Sequence, residues 1–177
     1  MSAKNYMLEQ FRHARTEHIK WLNRVKLLVS GFSQEDLDID QSGSMFGKWL
    51  FNDAMVLSST HCKHTIDEIM QKHTECFDYF LTIYHLQHRQ KGNFLENFFI
   101  GRHRLDAREE ELIKRYYEDL VTVSDRLLVK LRLLESQLLA MNETDFEVLE
   151  ISTEQEVGVF SHKSSSAPSY YRGQRID

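Results

Sequence analysis

Three side chains of the kinds that bind metal ions fall at positions where a helix would turn them inward. His18 lies on an apolar stripe with Phe11 and Trp21, at the three- and four-residue spacing of one helix face. His73 and Cys76 lie three residues apart on a later apolar stripe, so they share a helix face. Imidazole and thiolate are groups that zinc prefers. The pattern therefore indicates a candidate metal site of His18, His73 and Cys76.

Two other histidines have a more obvious spacing but lie on the wrong helix face. His61 and His64 flank Cys62 and Lys63, and at about 100° per residue they fall roughly 110–170° from the centre of the apolar stripe. We expect both imidazoles to face water. A buried histidine is also often a hydrogen-bonded core residue, and a buried cysteine often packs as a small apolar one. A core without metal is therefore the alternative interpretation of the inward residues.

Two short motifs accompany these residues. The stretch Ser44–Leu50 reads Ser-Met-Phe-Gly-Lys-Trp-Leu, and His18 stands three residues before Trp21. Together they resemble the chemoreceptor zinc-binding (CZB) family of bacterial cytoplasmic sensor domains. That family's pattern is His-x-x-Trp, then Cys-x-Phe-Gly-(Lys/Arg)-Trp, then His-x-x-x-His on a third helix. The resemblance covers residues 10–90 and implies a zinc site built by three histidines and one cysteine from three helices.

The ligand set of that family is incomplete in this sequence. Ser44 stands where the family has Cys, and a neutral hydroxyl is a poor zinc ligand. His73 matches the final histidine of the pattern, and Ile69 stands one turn earlier, where the other histidine is expected. Cys76 offers a replacement thiol beside His73, with His18 as the third ligand. The resemblance therefore implies a zinc site that is weakened or lost.

Hydrophobic periodicity predicts an all-α fold. We expect an antiparallel bundle of three long helices, near residues 5–30, 53–91 and 103–141, with a short helix at Ser44–Leu50 packed across it. One proline and seven glycines in 177 residues agree with mostly helical structure. We also expect Trp21 and Trp49 to be neighbours in the core.

The chain divides into two regions by composition. Residues 1–142 are predicted to form the helical-bundle, CZB-like sensor domain. Residues 143–177 are predicted to be an acidic, flexible C-terminal tail with irregular structure, in which Phe146–Ile151 alternates weakly like a strand.

Charge and cysteine content exclude several classes of partner and compartment. A net charge of −5 argues against nucleic acid and anionic membranes as partners. The sequence has no run of 18 apolar residues, which predicts no membrane span, and its start lacks the apolar core of a secretory signal. Two cysteines are too few for a disulfide framework, so a reducing cytoplasm is expected.

These observations favour a non-enzymatic regulatory domain. No Gly-rich phosphate loop or Gly-x-Ser-x-Gly motif is present, and the resemblance implies action through a protein partner in bacterial chemotaxis or cyclic-di-GMP signalling. The segment Leu105–Met141 has a second apolar edge beside its heptad seam, which predicts contact with a partner chain and hence a homodimer. The alternative is that both edges form one broad face that packs in the core of its own bundle. The alternative function is a hemerythrin-like bundle that binds iron or oxygen, with His13-x-x-x-Glu17 and His64-x-x-x-Glu68 as the spacings that suggest it.

Overall fold

The computed structural model describes residues 2–32, 37–88 and 106–149, and the backbone of two residue pairs near the C-terminus. In chain order its helices are α1 (Ala3–Val29), α2 (Met45–Phe51), a 3₁₀ helix (Asp53–Ser59), α3 (Lys63–His88), α4 (Ala107–Ala140) and a helical segment at residues 143–149. Tyr170–Tyr171 pairs antiparallel with Gln174–Arg175, as two strands of two residues. The predicted all-α bundle is confirmed.

The long helices pack antiparallel around α4. At one end of the bundle, the Lys4 ammonium on α1 donates hydrogen bonds to the carbonyls of Leu139 and Met141, 2.8 and 2.6 Å away, just where α4 ends. Near the same end of α4, the Lys130 ammonium lies 2.7 Å from the Glu68 carboxylate in the first turns of α3. The start of α1 therefore meets the end of α4, and α3 runs opposite to α4 along their shared face.

The prediction that the third helix begins near residue 53 is wrong. Asp53–Ser59 is a 3₁₀ helix, and Thr60 then adopts an extended backbone. The Thr60 hydroxyl accepts a hydrogen bond from the Cys62 amide at 3.1 Å, and α3 begins at the next residue. A threonine side chain that bonds the nearby backbone competes with a helical hydrogen bond, and this explains the interruption.

The predicted strand-like conformation of Phe146–Ile151 is also wrong over residues 146–149. These residues are helical, and Phe146 and Leu149 are buried in the core beside Leu138 and Met141. The burial of two side chains on one helix face stabilises a segment whose local pattern is weak. Packing on the bundle therefore extends past residue 142 to at least Leu149.

Two apolar clusters fill the bundle, and buried polar residues lie between them along each long helix. The first cluster includes Phe11 of α1, Ile69 of α3 and Leu127 of α4. The second includes Trp21 of α1, Cys76 of α3 and Val123 of α4. The residues that separate the two clusters on these helices are His18, His73 and Ser124, each at most 3% exposed. We call these three residues the polar layer.

None of the helices in the described ranges is both long and apolar enough to cross a membrane.

Candidate functional site

The short helix α2 is built by the motif that the sequence analysis singled out. Ser44 is its N-cap, and the Ser44 hydroxyl accepts a hydrogen bond from the Gly47 amide at 2.9 Å. A Cβ atom added to Gly47 would lie 2.1 Å from the Gln41 carbonyl oxygen, so only glycine fits this close approach. The helix buries the rings of Phe46 and Trp49, which lie 5.8 Å apart between centroids. The motif therefore docks two aromatic rings in the core.

His18 is fully inside the bundle, as its position on the apolar stripe predicts. Its ring is 1% exposed, and its Nε2 atom lies 2.9 Å from the Ser124 hydroxyl oxygen of α4. The imidazole stacks on Trp21 at 5.7 Å and contacts the Phe46 ring at 5.1 Å. Burial lowers the pKa of His18 to about 3, with a further contribution from repulsion by His73. His18 is therefore a neutral, hydrogen-bonded imidazole at ordinary pH.

His73 is buried on α3 with only one of its ring nitrogens paired among the described residues. Its Nε2–H donates a long hydrogen bond, 3.4 Å, to the Gln41 carbonyl of the loop before α2. The Nδ1 atom is buried and has no partner within the described ranges. Burial lowers the pKa of His73 to about 4, and the bond to Gln41 opposes this shift. The unpaired nitrogen of this neutral ring faces the core as a hydrogen-bond acceptor.

The Phe46 ring brings the two histidines to one place in the bundle. Its centroid lies 5.1 Å from that of His18 and 5.0 Å from that of His73. The Phe51 and Phe77 rings also approach His73, at 6.1 and 6.4 Å. The two predicted metal-binding histidines therefore converge from α1 and α3 on a common aromatic ring.

Cys76, the third predicted ligand, is held as a neutral thiol. It is fully buried with Phe80 in the second apolar cluster, and burial raises the pKa of its thiol to about 12. Zinc binds the thiolate and not the thiol, so this environment opposes ligation.

The described residues do not supply the full ligand set of a tetrahedral zinc site. Such a site needs about four nitrogen or sulfur ligands, and within the described ranges no three His, Cys, Asp or Glu side chains group to hold a metal ion. Ser44, at the cysteine position of the CZB pattern, uses its hydroxyl oxygen to cap α2. His18 and His73 are the two nitrogen donors that the fold brings together.

The spacings that suggested a hemerythrin-like site lie on the surface. His13 is exposed, and the His64 side chain is 87% exposed. The Glu68 carboxylate, 3.8 Å from His64, is bound by Lys130 at 2.7 Å. The prediction that His61 and His64 face water is confirmed, since both are exposed.

Two hydrogen-bond partners of the histidines were not identified as such from the sequence. Ser124 lies on the heptad seam of α4, and a small polar residue at such a core position is the available signal. The Gln41 carbonyl belongs to the main chain, so its side-chain type carries no information about this contact. The predicted burial of Trp21 and Trp49 is confirmed, at 6% and 3% exposure, but the two rings belong to different apolar clusters and are not direct neighbours.

Comparison of this chain with protein family models, with curated proteins and with solved structures gives no match.

Proposed function

We propose that this protein is a non-enzymatic, cytoplasmic regulatory bundle of the CZB type, which acts through protein contacts in bacterial signal transduction. The observation that supports this proposal is the convergence of His18 and His73 on Phe46, at 5.1 and 5.0 Å. It unites the His-x-x-Trp motif, the Phe-Gly-Lys-Trp motif and the matching histidine of α3 in one place. These are the three segments from which the CZB family is expected to build its site.

The burial of this region favours a regulatory role over catalysis. His18 and His73 are 1% and 3% exposed, and their neighbours are aromatic rings. A catalytic base must come within hydrogen-bond distance of its substrate, which these buried rings cannot do without opening of the bundle. A buried histidine pair in a helical bundle is better suited to holding one helix arrangement.

The regulatory role is testable in the organism that carries the gene. We expect deletion to change swimming on soft agar or the cellular level of cyclic-di-GMP, and complementation with the wild-type chain to restore it. The variant Phe46→Ala, which removes the ring that joins the histidines, should fail to complement. A deletion that leaves both readouts unchanged argues against this signalling role.

The resemblance to the CZB site is testable by restoring the missing cysteine. Because Ser44 adds no thiolate and Ile69 adds no nitrogen, we expect tag-free wild-type protein to bind zinc weakly in a competition titration with a chromophoric chelator. If the loop is placed as in a CZB site, Ser44→Cys should raise the affinity at least about tenfold, since a thiolate adds a charged ligand to the two histidines. Ser42→Cys, two residues earlier on the same loop, is the matched control. Equal affinities for the two variants would show that the loop is not placed as in a CZB site.

A further inference from the structure

Most of the groups that the CZB pattern would assign to a metal have a hydrogen-bond partner from the protein itself. The Nε2 atom of His18 pairs with the Ser124 hydroxyl at 2.9 Å, and the His73 Nε2–H donates to the Gln41 carbonyl. The Ser44 hydroxyl accepts from the α2 backbone. A metal is therefore not needed to satisfy the His18 Nε2 atom or the Ser44 hydroxyl, whereas the buried Nδ1 of His73 is left without a partner within the described ranges.

The bond between His18 and Ser124 joins the single polar residue among the buried residues of α1 to the single polar residue among those of α4. The buried residues of α1 are Leu8, Phe11, Ala14, His18, Trp21, Val25 and Leu28. Those of α4 are Ile113, Leu120, Val123, Ser124, Leu127, Leu131, Leu134 and Leu138. In both sets the residues are spaced almost throughout by three or four, as in a heptad seam. The single polar residue of one seam meets the single polar residue of the other.

We infer that the His18–Ser124 pair sets the alignment of α1 on α4. A shift of one heptad would place the Ser124 hydroxyl against Phe11 or Val25, which cannot form hydrogen bonds, and would separate it from the His18 ring. Leaving a buried polar group unpaired is costly, and a single polar residue at a core heptad position is known to fix register in coiled coils. Apolar side chains alone distinguish less well between the observed and a shifted alignment, because a shifted seam still buries leucine against aromatic or branched residues.

The other polar side-chain contacts between α1 and α4 are exposed or only partly buried, and they include the Lys4 bonds to the carbonyls of Leu139 and Met141 at the end of α4. Glu135 of α4 accepts hydrogen bonds from Arg12 and Arg15 of α1, at 2.9 and 2.6 Å, and the three side chains are 19%, 54% and 31% exposed in that order. Exposed ion pairs contribute little, and long flexible side chains can follow a shifted partner. The His18–Ser124 pair is the contact among these whose two partners are both fully buried, so a shifted alignment would leave its polar groups without water as well as without each other. This inference concerns the folding of the bundle and does not depend on the proposed function.

A double-mutant cycle measures whether the pair is energetically coupled. We expect His18→Leu and Ser124→Ala each to lower the folding equilibrium constant about tenfold or more in urea titrations, because each leaves a buried partner unpaired. The double variant should be about tenfold more stable than the product of the two single effects predicts. His13→Leu and Ser136→Ala, at exposed positions of the same helices, are the matched controls and should have little effect. If the double variant lowers the folding equilibrium constant by the product of the two single effects, the inference is overturned.

A distance measurement tests alignment itself. Nitroxide labels at Asn23→Cys and Thr122→Cys, on exposed positions of α1 and α4, report their separation by pulsed electron paramagnetic resonance. The parent protein without these cysteines checks that the buried native thiols take no label. We expect one distance in the labelled wild-type background, and an additional distance in His18→Leu/Ser124→Ala, because a one-heptad shift moves the helices by about 10 Å. A single unchanged distance in that double variant would show that other contacts set the alignment.

Discussion

Mild acid should destabilise this protein through its two buried histidines. In the folded state the pKa of His18 is lowered to about 3 and that of His73 to about 4, against an ordinary value of 6.5. Between pH 6.5 and about pH 4 the unfolded chain therefore binds protons that the folded chain does not. Stability rises with pH wherever the unfolded state binds more protons, so it should fall as the pH is lowered through this window.

The expected loss of folding stability at pH 5 depends little on the pKa values of the two histidines in the folded state. Both folded pKa values lie below 5, and pH 5 is 1.5 units below the ordinary value of 6.5. At about 1.4 kcal/mol per unit, each histidine costs about 2 kcal/mol, and the pair about 4 kcal/mol. This is a large share of the roughly 5–15 kcal/mol by which domains are stable.

The measurement is urea unfolding at pH 8 and pH 5, followed by the fluorescence of the buried tryptophans. The free energy of unfolding of the wild type should fall by about 4 kcal/mol, and that of His18→Leu by about 2 kcal/mol. Leu131→Ala is the control, since it weakens the core but keeps both imidazoles and should retain the full pH difference. A wild-type difference below about 1 kcal/mol, or an equal one in His18→Leu/His73→Leu, would refute the reasoning.

Carboxylate groups act in a lower pH window and should not obscure this result. The hydrogen bond from Lys130 lowers the pKa of Glu68, and that from Arg12 lowers the pKa of Glu135, from an ordinary value of 4.5. A carboxylate with a lowered pKa stabilises the folded state above its unfolded value, and this contribution is lost as the pH falls through the folded value. Its loss therefore belongs mainly below pH 4.5.

Three further predictions concern the α2 motif and self-association. Trp49→Ala should lower the free energy of unfolding by about 3–5 kcal/mol in urea titrations, the range for a buried aromatic ring, and a loss below about 1 kcal/mol would contradict its core position. Gly47→Ala should cost about 1–3 kcal/mol by the same assay, because a Cβ atom 2.1 Å from the Gln41 carbonyl oxygen outweighs the gain in helix propensity; a stabilised variant would show that the loop can move away. The homodimer predicted from α4 should appear in sedimentation equilibrium at micromolar concentration, and a monomer there would count against it.

The inward and outward positions of the histidines could be predicted because helix periodicity depends on local sequence alone. His18 and His73 fall on apolar stripes and are buried, whereas His61 and His64 fall off the stripe and are exposed. Since burial of an apolar stripe is the main source of helix stability in proteins, the stripe is a sufficient guide to the face.

The features that sequence did not predict depend on contacts between distant residues. The helix at residues 143–149 owes its burial to the first apolar cluster, and the strand-like alternation of Phe146 and its neighbours gives no sign of this. His18 and Ser124 are 106 residues apart along the chain, so their contact depends on how α1 and α4 are aligned. Local sequence carries no information on that alignment. The interruption at Thr60 is local, but a single hydroxyl that bonds the backbone has no periodic signature.

Because the polar layer lies between the two apolar clusters, we expect the two regions of the bundle to open separately. Apolar packing makes neighbouring turns of different helices unfold together, and at this level α1, α3 and α4 each place a polar residue in the core. The rings of His18 and His73 link the two clusters through contacts with Phe46, Trp21 and Phe77. Backbone amides of α1 before His18 and after it should therefore exchange with solvent deuterium at different rates, as parts of two cooperative units. Opening of the far region, around Trp21 and Phe80, would leave α2 and its aromatic rings in place. The chain can thus loosen one end of its long helices while the other end keeps their order.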